Sequence, residues 1–285
     1  MSAKRIDGKA ISAQIKEEAA KEAAELKAKG IEPCLAVILV GEDSASQVYV
    51  NNKKKACEAV GIRSVAYELD AETEEGELLR LIASLNMDKT ISGILVQLPL
   101  PKHLDETKVI LAIDPKKDVD CFHPINVGNL QTGGKGFLPC TPAGIIALLK
   151  RSGTVIEGKR CVVIGRSNIV GKPVAMLLLR ENGTVTICHS KTKDLAEICR
   201  QADIIVSAVG KVHTVTADMV KDGAVIIDVG MNRNEAGQLC GDVDFAQVQE
   251  VAGAITPVPG GVGPMTIAML MKNCITAAKL QNGLL

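Results

Sequence analysis

The stretch CVVIGRSNIVGKPVAMLLLREN, residues 161–182, decides the fold of the second half of the chain. An apolar run, a glycine-bounded turn and an amphipathic run predict a buried strand, a tight loop and a helix. Dinucleotide-binding loops have this setting, with the usual pattern G-x-G-x-x-G. Here Ser167 replaces the second glycine, and Gly171 comes one residue late. We predict a dinucleotide site in which the amino end of the helix faces a pyrophosphate.

Small residues are also common at strand-to-helix turns of other α/β proteins, so this loop alone leaves a purely structural role open. The next strand favours a nucleotide, and NADP over NAD. In NAD-binding folds an acidic residue near the tip of that strand accepts bonds from the ribose hydroxyls. The tip here reads CHSKT, residues 188–192, and contains no acid. Arg166 and Ser190 can instead bind a 2′-phosphate, which a carboxylate would repel.

The composition excludes other classes of function. The 285 residues include 33 Lys plus Arg, 33 Asp plus Glu, two Tyr, three Phe and no Trp. Such a chain offers neither a basic field for a phosphate backbone nor aromatic platforms for bases, so we expect no nucleic acid partner. No apolar run approaches the roughly 18 residues of a membrane span, and the first residues lack the apolar core of a signal peptide. We expect a cytoplasmic protein with no membrane partner.

The cysteine and histidine patterns argue against disulfides and metals. The nine cysteines are scattered without a C-x-x-C pair, so we expect reduced thiols packed mostly as small apolar side chains. The four histidines lack the spacing typical of metal ligands, so no metal is expected.

Short apolar runs alternate with helical patterns along the chain. Runs of this kind are typical of strands covered on both faces, and the alternation predicts an α/β fold with parallel sheets. The runs are CLAVILV (34–40), ISGILVQ (91–97), CVVIG (161–165), TVTIC (184–188), DIIVSAVG (203–210) and AVIIDVG (224–230). Helices are predicted over 9–29, 44–60 and 142–151, the first two closed by Gly30 and Gly61.

The strands fall into two groups, which predicts two α/β domains around a cleft. The first domain takes residues 1–138 and 265–285, because the apolar last helix returns to it. The second domain takes residues 139–264 and is predicted to be a Rossmann-like, doubly wound parallel sheet. We expect the substrate in the first domain and the nucleotide in the second.

The helix predicted over residues 44–60 carries two candidate catalytic side chains. Tyr49 and Lys53 are one turn apart and share a face. Two further lysines follow Lys53, so a solvated basic helix is the alternative interpretation. Tyr-x-x-x-Lys also marks short-chain dehydrogenases, but there the dinucleotide loop precedes the tyrosine, and here it follows.

Three loops add candidates. Gln97 and Leu98 follow a buried strand, where parallel sheets bind ligands, although the amide could equally satisfy loop carbonyls. Asp118 and Asp120 lie in DPKKDVDCFHP, where capping a turn is the ordinary role and ligand binding the alternative. The loop TPVPGGVGPMT, residues 256–266, suits close approach by a flat ligand, or a simple interdomain turn.

Ten segments together resemble one family, the bifunctional methylenetetrahydrofolate dehydrogenase/cyclohydrolases, along nearly the whole chain. They are YVNNK, GILVQLPLP, KKDVD, PCTPAGI, GRSNIVGKP, HSKT, ADIIVSAVG, VIIDVG, GDVDF and TPVPGGVGPMT, in that family's order. The resemblance implies oxidation of 5,10-methylenetetrahydrofolate to the methenyl form with NADP, and hydrolysis to 10-formyltetrahydrofolate in the same cleft. It also implies one-carbon metabolism, purine biosynthesis and a homodimer formed through the nucleotide domain.

The same resemblance implies roles for individual residues. Lys53 is expected to be the cyclohydrolase residue, with Gln97 hydrogen-bonded to it. Tyr49 is expected to stack on the aminobenzoyl ring, and Asp120 to anchor the pterin. The other expected folate-binding residues are Leu98, Pro259, Gly260 and Gly261. The expected NADP-binding residues are Gly165, Arg166, Ser167, Ser190 and Thr266.

One position departs from the family pattern. Glycine normally follows KDVD, and this chain has Cys121. A side chain there would narrow the pterin pocket or require a different backbone angle.

Three other functions remain open. Two are enzymatic: a dehydrogenase-only family member, and an NADP oxidoreductase resembling shikimate dehydrogenases. The shikimate reading leaves VQLPLP and PVPGGVGPMT unexplained. A sensor of folate or NADP is disfavoured because Tyr49, Lys53, Gln97 and Asp120 are all present.

Overall fold

The computed structural model describes residues 2–285, except for the side chains of residues 44 and 45. The chain divides into two compact units. Unit 1 comprises the residues up to Ala13 together with Thr141–Thr266. Unit 2 comprises Gln14–Cys140 and Ile267–Leu285.

Helices and strands alternate through most of both units, as the apolar runs predict. In chain order the elements are β1 (Lys4–Arg5), α1 (Gly8–Ala28), β2 (Cys34–Val40), α2 (Ser44–Val60), β3 (Arg63–Leu69), α3 (Glu75–Met87), β4 (Gly93–Val96), α4 (Glu106–Ala112), α5 (Pro124–Gln131), α6 (Cys140–Arg151), β5 (Arg160–Ile164), α7 (Gly171–Arg180), β6 (Thr184–Cys188), α8 (Leu195–Arg200), β7 (Ile204–Ser207), a 3-10 turn (Ala217–Met219), β8 (Val225–Asp228), β9 (Asn232–Arg233), β10 (Leu239–Cys240), α9 (Phe245–Val248), β11 (Ala254–Ile255) and α10 (Val262–Gln281).

The sheet of unit 1 has six parallel strands in the order β1-β11-β8-β7-β5-β6. From β5 the chain moves to β6 on one side and then to β7 on the other. The carboxyl ends of β5 and β7 therefore flank a topological switch point, where doubly wound sheets bind ligands. This is the Rossmann-like arrangement that the sequence predicts.

Unit 2 is built on a parallel sheet with the order β3-β2-β4. The central strand β2 is buried along its whole length, because seven consecutive apolar residues suit a strand covered on both faces. The bounds of β2 match the prediction. The sequence does not predict β3, whose residues mostly alternate between exposed and half-buried because it forms an edge of the sheet.

From Ile267 onwards, the last helix belongs to unit 2. Its buried residues share a hydrophobic core with β2 and α2, and include Leu270, Met271, Cys274 and Ile275. The buried Asn273 donates from Nδ2 to the carbonyl oxygens of Val119 and Leu138, each at 2.8 Å. The helix therefore also holds the backbone immediately before Asp120.

The predicted boundary at the amino terminus is wrong. Residues 1–138 were assigned to one domain, but β1 pairs with β11 in unit 1, with Lys4 opposite Ala254. Gly8 also packs so closely that an added Cβ would lie 1.8 Å from the carbonyl oxygen of Gly261. A two-residue polar strand gives no recognisable sequence pattern, so the pairing could not be predicted.

Two further predictions fare differently. β6 was expected to be covered on both faces, but it is an edge strand and most of its residues are exposed. Eight of the nine cysteines are buried, as predicted.

Within residues 2–285, no helix is long and apolar enough to cross a membrane.

Candidate functional site

The helix α2 places Tyr49 and Lys53 one turn apart, with different burial. Tyr49 is 41% exposed, whereas Lys53 is only 9% exposed. The lysines that follow, Lys54 and Lys55, are both exposed. The alternative interpretation, a solvated basic helix face, therefore applies to Lys54 and Lys55 but not to Lys53.

Lys53 is held by a neutral amide. Its Nζ donates a hydrogen bond to Gln97 Oε1 at 2.8 Å, so the contact expected between these side chains is present. Gln97 Nε2 in turn donates to the carbonyl oxygen of Leu98 at 2.6 Å. This second bond orients the amide so that its oxygen faces the lysine. Gln97 directly follows β4, at the carboxyl end of the sheet of unit 2.

Asp118 holds a turn, which is its ordinary predicted role. It is 2% exposed, and its carboxylate accepts bonds from the backbone N–H groups of Phe122 and His123, at 3.2 and 2.9 Å. It also accepts a bond from Asn126 Nδ2 at 2.8 Å. These contacts fix the backbone that carries Asp120.

Asp120 lines a small recess together with Leu98 and Phe122. The residue keeps some exposed surface, but protein atoms enclose its carboxyl group on most sides. This burial raises the pKa of Asp120 to about 6, although the nearby charge of Lys53 acts in the opposite direction. The thiol of Cys140 donates to Asp120 Oδ1 over 3.9 Å. A carboxylate beside apolar walls can bind the amino edge of a flat heterocycle.

Cys121 adopts a left-handed backbone conformation. Its φ is 63°, in the left-handed region that favours glycine. Its Sγ donates to the carbonyl oxygen of Phe137 at 3.3 Å, and the side chain is buried in the core with Val119. The side chain therefore packs into the core and does not line the recess beside Asp120. Of the two alternatives, the unusual backbone angle is the one observed.

The loop after β5 needs both of its glycines. An added Cβ at Gly165 would lie 2.3 Å from the carbonyl oxygen of Ala208, which directly follows β7. An added Cβ at Gly171 would lie 2.3 Å from the carbonyl oxygen of Gly165. The loop is thus packed tightly at the switch point between β5 and β7.

Ser167 explains how the loop works without its second glycine. Its Oγ accepts bonds from the N–H groups of Val170 and Gly171, each at 3.2 Å, and its carbonyl oxygen accepts from Lys172 at 3.0 Å. Pro173 has no N–H. The N–H groups at the start of α7 are therefore already paired within the protein. The hydrogen of the Ser167 hydroxyl remains as a donor.

Arg166 and Ser190 lie at the carboxyl edge of the same sheet, and Thr266 lies in α10. Arg166 and Ser190 are exposed and follow the adjacent strands β5 and β6, whose ends pair Ile164 with Cys188. Thr266 is half-buried, and its hydroxyl shares a hydrogen bond of 2.8 Å with that of Thr141.

The structure divides the predicted folate-binding residues between the two units. Pro259, Gly260 and Gly261 belong to unit 1, with Gly260 at a φ of 105°. The residues on α2 and after β4 belong to unit 2.

Two cavities contain none of these candidate residues. One of about 480 Å³ lies at the amino-terminal edge of the six-stranded sheet, beside Asp203 and Lys221. Another of about 810 Å³ is lined by Gln47, Val48 and Asn51 of α2. Because parallel sheets bind ligands at their carboxyl ends, the first cavity does not suit a cofactor. Among the described residues, no group of three His, Cys, Asp or Glu is arranged to hold a metal.

Sequence reasoning missed two buried carboxylates in unit 1. Asp228 ends β8, and Asp242 follows β10. Both lie in quoted segments, VIIDVG and GDVDF, but neither was singled out. For Asp228 the available signal is an acid at the carboxyl end of an otherwise apolar parallel strand, whereas Asp242 follows a two-residue antiparallel strand and has no such signal.

Comparisons with known proteins cover nearly the whole chain. Residues 6–120 match the catalytic domain of the tetrahydrofolate dehydrogenase/cyclohydrolase family, and residues 139–282 match its NAD(P)-binding domain. The bifunctional protein FolD of Agathobacter rectalis is 66% identical over 274 residues, which is 96% of this chain and 98% of that protein.

Two solved structures are similar in fold as well as in sequence. The bifunctional FolD enzyme of Campylobacter jejuni gives a TM-score of 0.96 at 54% identity, covering 98% of this chain and 99% of that one. The methylenetetrahydrofolate dehydrogenase-cyclohydrolase of Trypanosoma brucei, solved with NADP and an inhibitor, gives 0.93 at 42% identity, covering 98% of each chain.

The raised pKa of Asp120 predicts that its charge destabilises the fold. The native pKa of about 6 lies above the ordinary 3.8, so the native state binds more protons than the unfolded chain between these values. Stability should fall as pH rises through this window. Asp120→Asn should therefore raise the free energy of unfolding at pH 7.5 by about 1 to 3 kcal/mol, with the gain shrinking below pH 6.

Urea denaturation at several pH values measures this effect. Asp88→Asn is the matched control of opposite sign, because the Thr90 N–H lowers the pKa of Asp88 and its charged form is the favoured one. An Asp120→Asn variant that is less stable than wild type at pH 7.5 would contradict the assignment.

Proposed function

The chain belongs to the tetrahydrofolate dehydrogenase/cyclohydrolase family, and on that premise we propose how its residues perform the two reactions. The protein oxidises 5,10-methylenetetrahydrofolate to the methenyl form with NADP and hydrolyses this product to 10-formyltetrahydrofolate. The observation that carries the proposal is the buried Lys53 amine held by Gln97 at 2.8 Å. A carboxylate would hold the amine in an ion pair, whereas a neutral amide leaves it available for proton transfer.

The residues of unit 1 suit NADP. Gly165 and Gly171 give the tight turn, and the Ser167 hydroxyl remains as a donor to a phosphate oxygen. Arg166 and Ser190 are exposed at the ends of adjacent strands and supply charge and a hydroxyl for the 2′-phosphate. Thr266 lies near the nicotinamide end in this proposal. NADP, when bound, accepts the hydride.

Folate binding is assigned mainly to unit 2. Asp120 binds the amino edge of the pterin in the recess that it shares with Leu98. Tyr49 is exposed enough for its ring to stack on the aminobenzoyl group. Pro259, Gly260 and Gly261 offer backbone that a flat ligand can approach closely. These residues orient the substrate, and orientation is the main requirement of a hydride transfer.

Hydrolysis requires proton transfer, which we assign to Lys53. Water attacks the methenyl carbon, and the Lys53 amine takes a proton from that water. The bond from this carbon to N5 then breaks as Lys53 passes that proton to N5. The second proton of the water is released to solvent as the hydroxyl becomes the formyl oxygen, and the formyl group stays on N10. Gln97 keeps the amine in place throughout.

A dehydrogenase-only enzyme is the nearest alternative. It would not require a buried lysine whose partner is an oriented amide. The bond from Gln97 Nε2 to the Leu98 carbonyl fixes the amide so that its oxygen faces Lys53, which supports the bifunctional assignment.

We also infer a homodimer formed through unit 1. The strand β6 ends the six-stranded sheet, and Ile187 on β6 and Leu179 on α7 are exposed apolar residues. An exposed edge with apolar side chains suits pairing with a second copy. We place the enzyme in the cytoplasm, in the one-carbon metabolism that supplies purine biosynthesis.

Lys53→Met should separate the two activities. Loss of the proton-transfer group should reduce hydrolysis of methenyltetrahydrofolate, measured without cofactor, by about 10²- to 10⁴-fold. NADP affinity should not change. Lys54→Met, which removes an exposed lysine of the same helix, is the control and should retain hydrolysis. Weaker folate binding with normal hydrolysis at saturating substrate would refute the assignment.

Arg166→Ala should reduce the preference for NADP over NAD. Loss of a charged bond to the 2′-phosphate should weaken NADP binding by about 10- to 100-fold and leave NAD binding nearly unchanged. Calorimetric titration of both nucleotides measures the ratio, with Arg180→Ala at the exposed end of α7 as control. An equal loss for both nucleotides would show that Arg166 does not read the 2′-phosphate.

A further inference from the structure

Asp228 and Asp242 are fully enclosed in unit 1 and have no role in the mechanism above. They are 3% and 0% exposed, so neither can contact a bound ligand directly. Burying a carboxylate is costly unless its oxygens are well hydrogen-bonded. The contacts that these two side chains make therefore indicate what they stabilise.

Asp242 holds the segment that leaves β7. Four of its five donors belong to residues 207–211, which begin with the last residue of that strand. Oδ2 accepts from Ser207 Oγ at 3.1 Å, Val209 N at 2.8 Å and Gly210 N at 3.3 Å, and Oδ1 accepts from Lys211 N at 3.0 Å and Asn232 Nδ2 at 2.9 Å. Three consecutive backbone N–H groups thus converge on one carboxylate.

Asp228 holds Asp242 in turn. Its carboxylate accepts from the backbone N–H groups of Asp242 and Val243 at 2.9 and 3.0 Å, and from Gly230 at 2.9 Å. Two glycines leave the space that the carboxyl groups of Asp228 and Asp242 occupy. An added Cβ at Gly241 would lie 1.8 Å from Asp228 Oδ2, and one at Gly230 would lie 2.3 Å from Asp242 Oδ1.

The anchored segment reaches the dinucleotide loop. Ala208 lies within it, and its carbonyl oxygen would be 2.3 Å from a Cβ added at Gly165. Gly165 and Ala208 follow β5 and β7, the two strands that flank the switch point. The position of residues 207–211 therefore determines how much space is left around Gly165, the first glycine of the loop. Val209, in the middle of the segment, is 39% exposed at this edge.

We propose that Asp242 is a positioning residue for NADP. Its carboxylate accepts hydrogen bonds from the N–H groups of Val209, Gly210 and Lys211 and so fixes the backbone of this segment. The fixed backbone presents the side chain of Val209 to the cofactor. Asp228 acts behind it by fixing Asp242. The inference rests on the proposed function only in naming NADP as the ligand of this edge.

Asp242→Asn tests the proposal with little change in shape. An amide has one acceptor oxygen, so its NH2 group must face either the donors at Oδ2 or those at Oδ1. We expect the dissociation constant for NADP, measured by calorimetry without folate, to rise at least tenfold. Hydrogen exchange at Val209, Gly210 and Lys211 should accelerate. Cofactor-free hydrolysis of methenyltetrahydrofolate should stay within twofold of wild type.

Asp203→Asn is the matched control. Asp203 lies beside the opposite end of β7, where its carboxylate accepts from Arg160 N at 2.9 Å and pairs with Lys221. This variant also loses a carboxylate that binds backbone, but it should keep wild-type NADP affinity. An Asp203→Asn variant that weakens NADP binding as much as Asp242→Asn would overturn the positioning role.

Unchanged NADP affinity in a hydrolytically active Asp242→Asn variant would overturn the inference and reduce Asp242 to a structural residue. If that variant does not fold, Ser207→Ala and Asn232→Ala each remove one donor and should weaken NADP binding by two- to fivefold. Wild-type NADP affinity in both of these variants would also overturn the inference. Failure of the proposed function would give a different result, because the wild-type protein would then lack both enzymatic activities while still binding NADP.

Discussion

A lysine amine buried against a neutral amide is the interaction on which the rest of the site depends. Lys53 Nζ donates to Gln97 Oε1 at 2.8 Å, and the amide is itself fixed by the carbonyl of Leu98. The pair links α2 to the carboxyl end of β4, so its geometry is set by rigid elements and not by a mobile loop. A carboxylate in place of Gln97 would hold the amine as a stable ion pair and oppose its use in proton transfer.

The carboxyl ends of parallel strands carry most of the other candidate residues in both units. In unit 2, Gln97 follows β4, and Asp120 lies just beyond the bridge between Ile94 and Asp118. In unit 1, the loops after β5 and β6 carry Gly165, Arg166, Ser167 and Ser190, and the segment 207–211 lies at the end of β7. The same constraint explains why polar groups can be concentrated there. The interiors of the central strands β2, β5 and β7 are buried almost entirely, so these strands can present side chains to a ligand mainly at their ends.

The sequence predicts the parts of this structure that depend on local pattern. Seven apolar residues define β2 at its observed bounds, and Gly61 ends α2 in the left-handed conformation. It does not predict features that depend on distant partners. β1 forms because β11 lies beside it, and its two polar residues carry no signal of their own.

The candidate site shows the same division. The resemblance indicates Lys53, Gln97 and Asp120, and the structure adds the hydrogen bonds and the burial around them. The sequence did not reveal that Ser167 uses the donors at the start of α7, because a serine can either accept or donate. The direction of the Cys121 side chain also required the fold, since its thiol turns into the core towards Phe137.

The central claim is that one chain carries out both steps in sequence. The most direct measurement is absorbance after mixing the purified protein with 5,10-methylenetetrahydrofolate and NADP. The account predicts that NADPH and the methenyl compound appear together and that the methenyl signal then decays while NADPH remains. A methenyl signal that accumulates and decays no faster than in enzyme-free buffer would contradict it.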